Sequence, residues 1–177
     1  MKTKDLTLIA LFASLITVCS WISVPAAVPF TLQTMAVFLA VGLLGGRRGS
    51  LAVAVYIALG AVGAPVFSGF RGGLGVLVGN TGGYIVGFLF AALLLWLLSR
   101  FWGEGQGVLA LSMLLGLLLC YTVGSAWFLW LSFRAGTALS LPTVLSWCVF
   151  PFVLPDLVKI AVALLLIRRL KPHFRRA

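Results

Sequence analysis

FPFVLPDLVKIAVALLLI, residues 150–167, is the stretch on which the reading of this chain turns. It is apolar over the length of a membrane helix, yet it carries Asp156 and Lys159 near its middle. An uncompensated charge in the bilayer core costs several kcal/mol, so such residues face a cavity, a partner or a substrate. Three residues apart, the two share one helix face. From Asp156 to the basic boundary at Arg168 there are 12 residues, which is about 18 Å of helix. If the basic end is cytoplasmic, the pair lies in the outer half of the membrane. Pro151 and Pro155 come just before it. Proline frees backbone carbonyls and kinks a helix, which a membrane protein tolerates beside a cavity. The pair can serve as a structural ion pair, a proton-coupling site or a polar ligand site, and the ligand site is the expectation.

The rest of the chain fits a membrane setting. Of 177 residues only 9% are charged and the mean hydropathy is +1.19, whereas soluble domains are roughly 25% charged. The net charge of +10 does not point to nucleic acid, because its placement follows segment ends. Lys2, Lys4, Arg47, Arg48, Arg100, Arg168, Arg169, Lys171, Arg175 and Arg176 mark the cytoplasmic side by the positive-inside rule. The basic tail is also suited to anionic lipid head groups. Cys19, Cys120 and Cys148 are scattered in apolar runs, and the single His173 lies in the tail, so neither a disulfide framework nor a zinc site is expected.

Apolar runs predict six spans, at about residues 6–28, 34–44, 51–64, 84–101, 108–131 and 145–167. The second and third are short for a bilayer that needs about 20 helical residues. Basic residues at both termini call for an even number of crossings. Six leaves only Arg71 and Arg134 outside. The expected fold is therefore an all-α, single-domain bundle of six transmembrane helices over residues 1–177, with both termini cytoplasmic, in the cell membrane. Val24-Pro25-Ala26 offers a signal-peptidase-like site after the first span, but that span is long for a signal core and is expected to be retained.

Two outside segments stand out. One is Val28-Pro29-Phe30-Thr31-Leu32-Gln33-Thr34. The other, residues 63–84, is rich in glycine, aromatic and apolar side chains and holds Arg71. A disordered loop would be polar. This one is greasy enough to fold onto the helices as a lid, and long loops of this kind tend to be binding loops. Asp156 can accept from N–H donors, while Lys159 or Arg71 can hold a carboxylate, Arg71 in bidentate fashion. Gln33, Thr34, Asn80 and Tyr84 add donors and acceptors, and Phe30, Phe67, Phe70 and Trp147 offer apolar surface. The set describes a small amphipathic ligand with an acid at one end and an amide-like group at the other. Gly72–Gly79 lacks both G-x-G-x-x-G and Gly-Lys-Ser/Thr, so nucleotide binding is not expected. No Ser–His, Cys–His or carboxylate pair supports catalysis, and no cofactor is expected.

Taken together, these motifs resemble the BioY family, the biotin-specific S components of energy-coupling-factor (ECF) transporters. The resemblance rests on the Val28–Thr34 segment, on Gly63-Ala64-Pro65-Val66-Phe67-Ser68-Gly69 with Gly72-Gly73, on Thr81-Gly82-Gly83-Tyr84, and on Pro151-Phe152-x-x-Pro155-Asp156-x-x-Lys159. It spans essentially the whole chain. One departure is Asn80, where the family usually has proline before Thr-Gly-Gly-Tyr. The resemblance implies capture of biotin, with Asp156 accepting from the ureido N–H groups and Lys159 holding the carboxylate. It extends the binding set to Gly73. It implies that Ala10 and Ser14, spaced as small-x-x-x-small, dock the transmembrane coupling subunit, and that two separate ATPase subunits supply energy. It also implies that the S component topples in the membrane to release its cargo. The competing readings are an S component for another vitamin and a small membrane scaffold with a purely structural Asp156–Lys159 pair.

Overall fold

The computed structural model describes residues 2–25, 28–103, 105–137 and 139–176, apart from the side chains of His173, Arg175 and Arg176. Ala26 of the possible cleavage site and Glu104 of an expected cytoplasmic turn lie outside the described residues. In chain order the elements are α1 (Thr3–Trp21), β1 (Ser23–Val24), β2 (Phe30–Thr31), α2 (Gln33–Leu44), α3 (Gly46–Ala61), α4 (Leu74–Leu77), α5 (Gly82–Trp102), α6 (Gln106–Arg134), α7 (Leu141–Cys148) and α8 (Phe150–Arg176). Among the described residues, four helices are long and apolar enough to cross a membrane: α1, α5, α6 and Phe150–Pro172 of α8.

Helix α2 is the centre of the bundle. Every residue from Gln33 to Leu44 except Met35 is buried, as expected of a helix that is hydrophobic on all sides. It packs against α8, α3 and α1. Being enclosed by protein, α2 can be short without exposing backbone to lipid.

Helix α3 begins at Gly46, so Arg47 and Arg48 form its first turn instead of the turn expected there. The whole connection from α2 is Gly45, held at φ +82°, a conformation glycine adopts without a Cβ penalty. Cations at a helix N-terminus oppose its dipole. Asp5 of α1 offsets this by pairing with Arg48 at 3.0 Å.

The predicted first span is also shorter than expected. Helix α1 ends at Trp21, and the chain turns through an antiparallel pair in which Ser23 faces Thr31 and Val24 faces Phe30. The buried side of α1, with Ile9, Phe12, Ala13 and Ile16, is part of the core. The predicted last span is two helices. The break falls at Val149, just before Phe150-Pro151, because proline has no N–H to continue the ladder and disfavours helical geometry in the residue before it. Helices α5 and α6 approach closely where small residues meet. A side chain at Gly83 would strike Trp127, and one at Gly124 would strike Tyr84.

Candidate functional site

A cavity of about 460 Å³ lies between the helices and the two unusual loops. That is within the usual range of about 300–1,000 Å³ for small-molecule sites. Asp156 and Lys159 of α8 line it, and both are nearly fully buried. Lys159 Nζ donates to Asp156 Oδ1 at 2.7 Å and to the backbone carbonyl of Thr31 at 2.5 Å. It also lies 3.8 Å from the centre of the Phe30 ring, a cation–π contact. Tyr121 of α6 donates its hydroxyl to Asp156 Oδ2 at 2.6 Å. The two charges therefore neutralise each other and are hydrogen-bonded further, which is what makes their burial tolerable.

The other walls come from the segments singled out in the sequence. Phe30, Gln33 and Thr34 line the cavity, as do Phe67, Arg71, Asn80 and Tyr84. Gln33 Nε2 donates to the Tyr56 hydroxyl at 3.0 Å, and Tyr84 shares a hydrogen bond of 3.2 Å with Ser125. Phe30 stacks with Phe152 at 6.1 Å between ring centres, so together they form an aromatic wall beside the charges. Arg71 and Asn80 are exposed at the mouth.

Three expected residues fall elsewhere. Gly73 is not in the lining. Its φ of +95° turns the chain into α4, and its N–H donates to Gly60 O at 2.7 Å, so it shapes the loop. Phe70 stacks on Trp21 at 4.8 Å, and Trp147 is half exposed.

The loop that follows α3 is fastened to the bundle. Ser20 donates to the Val66 carbonyl and Trp21 to the Pro65 carbonyl. Phe67 packs edge-on against Tyr56 at 5.5 Å, and Trp127 donates to the Gly79 carbonyl at 3.0 Å. This is the greasy lid the composition suggested, held by α1, α3 and α6.

Sequence reasoning missed Tyr56 and Tyr121. Each is a single tyrosine in an apolar helix and reads as ordinary packing. The usable signal for Tyr121 was Ser125, four residues on and therefore on the same face of a helix that points its polar groups inward.

These features define a multi-pass membrane protein with an enclosed small-molecule site ending on a buried acid–base pair. The BioY family matches residues 1–176, and the chain belongs to that family. It is 40% identical over 174 residues to the probable biotin transporter BioY of Pyrococcus horikoshii, covering 97% of this chain and 98% of that one. It is 42% identical over 174 residues to the biotin transporter BioY of Thermotoga maritima, covering 95% and 96%. The crystal structure of the S-component for biotin from an ECF-type ABC transporter is also similar, with a TM-score of 0.85 at 28% identity, covering 97% of this chain and 95% of that one.

Proposed function

We propose that the protein captures biotin and takes it up across the cell membrane as the S component of an ECF transporter. The observation that carries this reading is the neutral Asp156–Lys159 pair lining the cavity. A cyclic urea presents N–H donors beside a carbonyl acceptor. Asp156 complements one of these donors and Lys159 the adjacent carbonyl, so both charges grip the same end of the ligand. The Phe30–Phe152 wall packs the apolar rings. Saturable binding of biotin by isothermal titration, unaffected by excess thiamine or riboflavin, is the expected result. No heat of binding at low micromolar biotin would sink the proposal.

We infer a role for Lys159 different from the one the family resemblance implies. Its charge is already matched by Asp156, whereas Arg71 makes no ion pair or side-chain hydrogen bond among the described residues. A free guanidinium at the mouth is the better partner for the biotin carboxylate. Arg71→Ala is accordingly expected to weaken biotin about ten-fold, the scale of a charge-assisted hydrogen bond. Biotin methyl ester, which has no carboxylate, should bind wild type and variant alike. An equal loss for both ligands would reassign Arg71 to loop structure.

Six crossings with cytoplasmic termini complete the reading, counting α1, α2, α3, α5, α6 and the α7–α8 pair. Support comes from the placement of the basic residues, ten of which fall in the tails and segment ends that six crossings put on the cytoplasmic side, against Arg71 and Arg134 on the other. The coupling subunit docks on the outer face of α1, where Ala10 and Ser14 are both exposed. Ser14 returns its hydroxyl to the Ala10 carbonyl at 3.0 Å, leaving a small, self-satisfied surface for another helix. Hydrolysis of ATP belongs to two separate ATPase subunits.

A further inference from the structure

We propose that Tyr121 is the positioning residue of this site, its phenol setting the Asp156 carboxylate in the orientation that accepts a ligand N–H. The inference rests on the reading of Asp156 as the acceptor for biotin. The chain has three tyrosines, and all three line the cavity. Each hydroxyl meets a polar side chain of a neighbouring helix: Tyr56 with Gln33, Tyr84 with Ser125, Tyr121 with Asp156. Only Tyr121 meets a charge.

The carboxylate needs such a partner. The torsion that turns it is broad and roughly two-fold, so the side chain does not fix its own plane. Lys159 holds Oδ1 from the same helix, three residues away. Held there alone, the group can swing about that contact. Tyr121, reaching across from α6, holds Oδ2 and is the one side-chain donor to Asp156 from another helix among the described residues. A carboxylate has about four acceptor sites. With one used on each oxygen, one remains on each for the ligand, in a plane the protein has already chosen. Binding then requires no reorientation of the acceptor, which is how preorganisation raises affinity.

Tyr121→Phe removes one oxygen and keeps the ring in place, and Ser132→Ala is the control, a buried hydroxyl of the same helix that donates to the Phe128 carbonyl and lies outside the cavity lining. By titration with biotin, Tyr121→Phe should bind about ten-fold more weakly or worse, while Ser132→Ala stays within about three-fold, both melting within a few degrees of each other. If Tyr121 acts through Asp156, its removal in an Asp156→Asn background should cost less than about two-fold. Unchanged affinity in Tyr121→Phe overturns the proposal. So do a loss matched by Ser132→Ala and a loss that multiplies fully with Asp156→Asn. Failure of the wild type to bind biotin would instead remove the reading on which it rests.

Discussion

Lys159→Met should weaken biotin binding roughly ten- to a hundred-fold, and pairing it with Asp156→Leu should restore the melting temperature without restoring the ligand. Lys159 and Asp156 have side chains 6% and 5% exposed. Breaking a buried pair by removing one partner costs about 3–5 kcal/mol, because the remaining charge is left uncompensated. The affinity loss is separate: removing a charge-assisted donor to the ligand costs about 1.5–3 kcal/mol, roughly ten- to a hundred-fold. The single variant is expected to suffer twice. Asp156 is stranded, and the donor to the urea carbonyl disappears along with the tie to Thr31. Replacing both charges by apolar groups removes the stranded charge, and such replacements are often neutral for stability. The double variant therefore separates the two roles. A scaffold with a structural pair would regain everything; a binding site would regain only its fold. Biotin binding by the double variant at wild-type affinity would defeat the ligand reading.

The second large effect lies far from the charges. Gly49→Val is expected to cost at least about 3 kcal/mol, because the clash is with backbone. At roughly 2–4 °C per kcal/mol, the melting temperature should fall by about 6–12 °C. A Cβ on Gly49 would lie 2.7 Å from Val41 N and 2.8 Å from Ala40 C, both in α2. A crowded side chain can rotate away, but two helices joined by Gly45 alone cannot part without moving the bundle's central helix. That helix starts at Gln33 and Thr34, so the strain reaches the cavity. Gly107→Val, where nothing lies within 4 Å, should melt like wild type. Equal melting of the two valine variants would show that the α2–α3 contact is not the constraint described.

How far the sequence could be read depended on how unusual each signal was. Asp156 and Lys159 were legible because charges in an apolar run have few explanations. Phe30, Gln33 and Thr34 were legible because polar and aromatic residues mark the chain where it leaves an apolar span. Tyr121 was hidden, since a phenol in an apolar helix is unremarkable until its partner on a distant helix is known. Gly73, expected beside the ligand, has a positive φ and is not among the residues lining the cavity, a placement that residue type alone does not reveal. Arg47 and Arg48 resembled loop residues because charge usually marks a segment end, yet arginine is a good helix former and Asp5 supplies the compensation. The two helices at the end of the chain merged into one span because hydropathy does not register the break that Pro151 introduces.

The bond from Lys159 to the Thr31 carbonyl spans 128 residues and ties α8 to the β1–β2 hairpin over the cavity. The same ammonium therefore holds Asp156 and a strand of the cavity wall. Moving the hairpin away from α8 would strip a buried cation of a hydrogen bond. Displacing this part of the cavity wall therefore costs more than parting apolar contacts alone would.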